Sequence, residues 1–185
     1  MSLFLALALP DVVRSHVADV IEHGRATPGL NARWLRPERL HVTVLFLGRP
    51  LDPATLAARM PDLAARHAPI QLGVKGAGLF TTPRAPSVLW LGLHGDLGGL
   101  MALRADALRV FADAVDPLEV GRHFQPHVTL ARGKRPGELD GMAARLSELT
   151  VPKVALDSLH LYESGGDAFT SHRAESLMTP IVGAP

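Results

Sequence analysis

The tripeptide His-Val-Thr occurs twice, at His41-Val42-Thr43 and at His127-Val128-Thr129, each time inside an apolar run. With nine His, nine Thr and fifteen Val among 185 residues, chance supplies roughly 0.04 such tripeptides. Strand side chains alternate between faces, so each copy sets an imidazole and a hydroxyl on one surface and valine on the other. An unperturbed histidine titrates near pH ~6.5, so of two facing imidazoles at neutral pH one can accept a proton while its partner donates one. Displacement at phosphorus needs such a pair, a base for the incoming water or hydroxyl and an acid for the departing oxygen. The threonine hydroxyls can donate to non-bridging phosphoryl oxygens, where negative charge gathers in the transition state. This scheme requires no metal. No carboxylate or third histidine recurs with the motifs, and His123, four residues before His127, is the one near candidate ligand.

Two imidazoles 86 residues apart can meet only if the elements carrying them do. Leu3 to Leu9 reads as a buried first strand; it could pass for a signal-peptide core, but it is short, no Lys or Arg precedes it, and Pro10-Asp11 opens a helical pattern. That helix runs from about Asp11 to His23, with Val13, Val17, Val20 and Ile21 at helical spacing. After a Gly- and Pro-rich loop come a strand from His41 to Leu47 ended by Gly48-Arg49-Pro50, a helix from about Pro53 to Arg66 and a strand from Ile70 to Phe80. The second half repeats the order. It has strand Ser87 to His94, helix Gly98 to Val115 with Leu100, Leu103, Leu108 and Phe111 inward, strand His127 to Arg132, helix Glu138 to Leu149 and strand Val154 to Tyr162. A last strand near Ala168 to Met178 follows a turn at Gly165-Gly166-Asp167. Duplicated βαβαβ units, approximately 1–85 and 86–185 of a single domain, predict two lobes related by a pseudo-two-fold axis, with equivalent strands facing each other across a central cleft.

A hydrophobic content of 47 % supports a sizeable core, and the absence of cysteine excludes disulfides, thiolate nucleophiles and zinc–thiolate sites. A net charge of +1 argues against a broad polyanion-binding face. Locally the balance differs. Arg122, Arg132, Lys134 and Arg135 stand without an acid between Gly121 and Pro136, and Arg25, Arg33, Arg36 and Arg39 flank the first motif against Glu38 alone. Both motifs therefore sit in positive surroundings suited to an anionic ligand. No stretch reaches membrane-spanning length and no heptad stands out, so a soluble monomer is expected.

Two His-x-Thr-hydrophobic motifs at this spacing resemble the two-histidine phosphoesterase superfamily, within it the bacterial and archaeal RNA 2′,3′-cyclic phosphodiesterases, formerly called 2′-5′ RNA ligases. The likeness runs almost end to end. It takes in Leu3-Phe4-Leu5-Ala6-Leu7 with Pro10, Arg33-Trp34, Leu40-His41-Val42-Thr43-Val44-Leu45-Phe46-Leu47-Gly48, Gly78-Leu79-Phe80, Val88-Leu89-Trp90-Leu91-Gly92, Phe124-Gln125-Pro126-His127-Val128-Thr129-Leu130-Ala131-Arg132 and Leu159-His160-Leu161-Tyr162-Glu163-Ser164.

The resemblance implies a bilobal α+β fold around a cleft. It also implies hydrolysis of RNA 2′,3′-cyclic phosphate ends to 2′-phosphates, with weak reversible 2′-5′ joining as a second activity. By the same likeness His41 is the general acid, His127 the general base, and Thr43 and Thr129 hold the phosphate. Arg132 stands where the family has an arginine near the substrate, but strict alternation puts it on the face opposite His127 unless the strand ends or bulges. Phe46 shares a face with Val44 and reads as core, while Trp34 and Phe124, beside loops, are candidate base platforms. RNA ends or small cyclic nucleotides are the expected partners, in the cytoplasm, with no cofactor, membrane or obligate protein partner. A non-catalytic RNA-end or nucleotide-binding module, and a phosphodiesterase for another cyclic phosphate such as ADP-ribose 1″,2″-cyclic phosphate, are the alternatives.

Overall fold

The computed structural model describes residues 2–48, 52–82, 85–119, 121, 123–165 and 168–178. Its strands are β1 Ser2–Ala8, β2 Arg33–Trp34, β3 His41–Leu47, β4 Ile70–Thr82, β5 Ala85–Gly95, β6 His127–Arg132, β7 Thr150–Leu156, β8 Ser158–Gly165 and β9 Ala168–Ser176. The helices are α1 Asp11–Ala26, α2 Pro53–Ala57, α3 Met60–Ala64, α4 Leu97–Val110 and α5 Asp140–Arg145. The class is α+β. All strand pairings among the described residues are antiparallel, in the order β7-β4-β5-β6-β3-β1-β8-β9, with β2 paired to β6.

That order mirrors itself about the β6–β3 junction, where Val42 stands opposite Val128. Directly opposed residues of an antiparallel pair are related by a local two-fold axis, so the axis of the duplication passes beside these two valines. The third strand of the first unit, β4, pairs with β5 of the second, while β8 and β9 complete the side of β1. Asp157 alone separates β7 from β8, which lie far apart in the sheet order, so the sheet has to curl until its outer strands approach. The Leu177 amide donates to the Asp157 carbonyl at 2.7 Å and ties the end of β9 to the same junction.

Helices cover one face of the curl. In α1 the buried positions Val13, Val17, Ile21 and Gly24 recur at helical spacing, and Asp11 in the first turn complements the helix dipole. The Asp96 carboxylate caps α4 by accepting from the Gly99 amide at 2.8 Å, and Leu100, Leu103, Ala107 and the following Phe111 turn inward. These side chains form one core with Leu5, Leu7, Val42, Val44, Leu45, Val128 and Leu130. Full burial of each large apolar chain contributes about 1.5–3 kcal/mol, so the valine and leucine face fixes the register of both motif strands.

Four expected elements end elsewhere. The helix expected over 53–66 is two short ones, because Pro61 has no N–H to donate to the Ala57 carbonyl and so interrupts the run. The helix expected to reach Val115 stops at Val110, and Val115 instead bridges Leu47 ahead of Pro117, which cannot continue a helix. The 138–149 helix contracts to α5, and the 154–162 strand is cut at Asp157 into β7 and β8. The turn expected at 166–167, Arg49-Pro50 and Arg122 lie outside the described residues. No helix among the described residues is long and apolar enough to cross a membrane.

Candidate active site

Each motif strand carries a bulge at the same place. Along β3 the pairing with β1 slips between Leu45 and Thr43, and along β6 the pairing with β5 slips between Ala131 and Thr129. Two successive residues, Val44-Leu45 and Leu130-Ala131, therefore turn into the core, and all four are buried. The parity of the strand is reversed beyond each bulge. Phe46 and Arg132, both assigned to the core side by strict alternation, emerge instead on the face of the histidines; Phe46 is half-buried and Arg132 exposed.

Around the Val42–Val128 pair the antiparallel register sets His41 across from Thr129 and Thr43 across from His127. Opposed Cβ atoms in such a pair lie ~4.5–5.5 Å apart and diagonal neighbours ~7–8 Å, so the two imidazoles sit on one patch at a spacing that can bracket a phosphoryl group. Small residues flank them on the outer side. Ala8 pairs with His41, and Gly92 pairs with His127.

Both rings are oriented alike. The Nδ1–H of His41 donates to the Arg39 carbonyl at 2.7 Å, and that of His127 donates to the Gln125 carbonyl at 2.7 Å. Carbonyls only accept, so Nδ1 carries the fixed proton and Nε2 is the exchanging atom on each ring. His41 Nε2 lies 3.1 Å from Thr43 Oγ1. Aromatic walls surround the pair: Phe4 and Phe169 have ring centres 5.1 and 5.2 Å from His41, while Phe80 stands edge-on to His127 at 4.8 Å and Trp90 at 6.2 Å. The Trp90 ring lies where a Cβ on Gly78 would sit, 2.3 Å from its nearest atom, so the glycine opposite makes room for it.

Burial is the chief cause that lowers His41 from 6.5 to about 4; the bond to the Arg39 carbonyl raises it, and the charges of His127 and Arg39 lower it further. The native chain therefore refuses a proton that the unfolded chain takes up near pH ~6.5. The associated stability is complete above that pH and is lost as pH falls toward 4. Because the ring is partly exposed, the loss is on the order of 2 kcal/mol. Urea unfolding at pH 7 and pH 4.5 is expected to show a wild-type decrease larger by that amount than the decrease in His41→Gln; equal decreases would remove burial as the cause.

On the α4 side the bulge leaves the Val44 carbonyl turned away from the ladder, and Arg104 Nη1 donates to it at 2.5 Å. Arg104 Nη2 donates to Glu119 Oε2 at 3.0 Å, both side chains being 7 % exposed, and the guanidinium lies 4.3 Å over the Phe124 ring. Neither charged residue had a sequence signal, because an Arg inside a helix and a Glu in a loop read as solvated. With Thr43, Phe46, Phe80, His123, Phe124, Gln125 and His127 they line a cavity of ≈ 70 Å³. A larger recess of ≈ 220 Å³, between Thr27–Leu30 and α5, contains no motif residue.

Of the seven sequence-derived site residues, Thr43, Phe124 and His127 line the smaller cavity, and the register sets His41, Thr129 and Arg132 on the same sheet face as Thr43 and His127. Trp34 lies apart from them. It is opposite the buried Ala131, 9 % exposed, with its indole against Gly24 of α1 at a place where a Cβ would stand 2.2 Å away. It anchors β2 to the helix rather than offering a face to a base.

The chain matches the model of the 2′-5′ RNA ligase superfamily over residues 9–168. It is 30 % identical over 144 residues to the RNA 2′,3′-cyclic phosphodiesterase of Aeropyrum pernix, covering 75 % of this chain and 80 % of that one. It is 31 % identical over 150 residues to the enzyme of the same name from Thermus thermophilus, covering 74 % and 70 %. A crystal structure from Thermus thermophilus superposes with a TM-score of 0.75 at 26 % identity, covering 96 % of this chain and 98 % of that one. Escherichia coli LigT in its apo form shares the fold, with a TM-score of 0.69 at 22 % identity over 96 % and 98 % of the two chains. With its duplicated motif on one sheet face and a family match over most of its length, this chain belongs to the 2′-5′ RNA ligase superfamily.

Proposed function

We propose that this chain hydrolyses RNA 2′,3′-cyclic phosphate ends to 2′-phosphates by acid–base catalysis between His41 and His127. The reading is supported above all by the Val42–Val128 register, in which His41 falls opposite Thr129 and Thr43 opposite His127. In the step, His127 Nε2 takes a proton from water, the water oxygen bonds to phosphorus, the P–O3′ bond breaks, and His41 Nε2 gives its proton to O3′. The products are a 3′-hydroxyl and a 2′-phosphate, and solvent exchange restores both rings. Thr43 and Thr129 donate to the non-bridging oxygens.

His41, at about 4, is neutral in the unliganded protein. The phosphate anion supplies the opposite charge that raises its proton affinity, so the acid is loaded as the substrate enters. A ribose 5′-hydroxyl in the place of water gives weak, reversible 2′-5′ joining by the same proton transfers. The relatives named RNA 2′,3′-cyclic phosphodiesterase support the substrate class. Purified protein incubated with adenosine 2′,3′-cyclic phosphate in excess chelator is expected to yield adenosine 2′-phosphate alone by phosphorus NMR. A 3′-phosphate product, or turnover that stops in chelator, would overturn the mechanism; tight binding without turnover would mark a binding module.

A further inference from the structure

Arg33 and Arg132 stand directly opposite each other across β2 and β6. Like charges so opposed in a sheet are destabilising. Both are exposed, and among the described residues neither forms an ion pair. The neighbouring acid is committed elsewhere: the Glu138 carboxylate accepts from the backbone amides of Asn31, Lys134 and Arg135 at 3.0, 2.6 and 3.2 Å. Lys134 is held toward Arg33's strand by the Asn31 side-chain oxygen at 2.8 Å, which adds a third positive group to this rim.

The position of Arg33 is built rather than incidental. Its strand has two residues, of which Trp34 is fixed against α1 and Arg33 faces out. The Leu35 amide, donating to the Leu130 carbonyl at 2.8 Å, clamps the following residue to the β6 bulge. Opposed residues of an antiparallel pair share a face, and the bulge turns Arg132 onto the face of Thr129 and His127, so Arg33 shares that face too. Arg132 is three residues beyond Thr129, and extended chain rises only ~3.3 Å per residue. The pair of guanidiniums therefore begins where a substrate leaves the histidines, on a rigid sheet.

We propose that Arg33 binds the phosphodiester joining the terminal nucleotide to the rest of an RNA strand, with Arg132 between it and the reacting phosphate. Two anions in succession would neutralise the opposed cations, and the site would distinguish an RNA end from a free cyclic mononucleotide. This rests on the proposed function, and its test separates the two. Wild type and Arg33→Gln would be compared on adenosine 2′,3′-cyclic phosphate and on the dinucleotide ApA ending in a 2′,3′-cyclic phosphate. Loss of a charge-assisted contact of this kind is expected to raise KM for the dinucleotide about tenfold, with kcat unchanged and the mononucleotide unaffected; Arg33→Lys should recover part of the loss.

The slope of log KM against log salt for the dinucleotide should fall by about 0.7 in Arg33→Gln. The same comparison read as Kd for the ring-opened 2′-phosphate products needs no turnover. A Kd difference confined to the dinucleotide without any turnover would sink the enzymatic reading and keep the Arg33 site. Turnover with Arg33→Gln matching wild type, or weakening both ligands equally, would overturn the Arg33 site and keep the enzyme.

Discussion

His127→Ala and His41→Ala are each expected to lower kcat/KM on adenosine 2′,3′-cyclic phosphate by about 10³- to 10⁴-fold. That corresponds to roughly 4–5.5 kcal/mol of transition-state stabilisation. The two rings act on opposite ends of one displacement, so the double variant should be little worse than either single one. Both rings lie on the face opposite the packed leucines, so each variant should still unfold in one cooperative transition at pH 7, with the larger loss of stability in His41→Ala, whose ring packs on Phe4 and Phe169. Retention of a tenth of the activity in either single variant would show that its imidazole moves no proton.

Arg104→Leu carries the second large effect, and it concerns stability. The substitution removes the donor to the Val44 carbonyl and takes from Glu119 a buried partner at 3.0 Å. Breaking a buried pair from one side costs about 3–5 kcal/mol, which for a chain of this length lowers Tm by roughly 10 °C or more. Calorimetry should show that shift. A shift under about 2 °C would make the contact a bystander. Because the same guanidinium closes the bulge that turns Phe46 outward, activity at 20 °C should also fall in Arg104→Leu.

The motif residues were legible because type and period coincide: alternation puts His and Thr on one face and Val on the other, and burial of Val42 and Val128 enforces it. The same alternation misplaced Phe46 and stood against Arg132, since a bulge is one extra residue that no hydrophobic pattern announces when both bulged side chains are apolar. Trp34 was misread for a related reason. Its neighbours are loop-like, but Gly24, ten residues away on α1, provides the flat seat that holds it in the core. Asp157 separates two strands bound for different parts of the sheet, a fact of pairing that its own neighbours do not encode. The burial of Arg104 and Glu119 as an ion pair is a fact of tertiary packing that neither residue's neighbours in the sequence encode.

The twin bulges have one more implication. A molecule turned end for end between the imidazoles meets the same four groups in the same arrangement, so the framework alone gives incoming and outgoing oxygens no preferred side. Handedness enters where the copies part company: immediately past one kink stands a phenyl ring, and past the other a cation. Those two exits add to the difference already made by the unlike walls around the rings, Phe4 and Phe169 at His41 and Phe80 and Trp90 at His127.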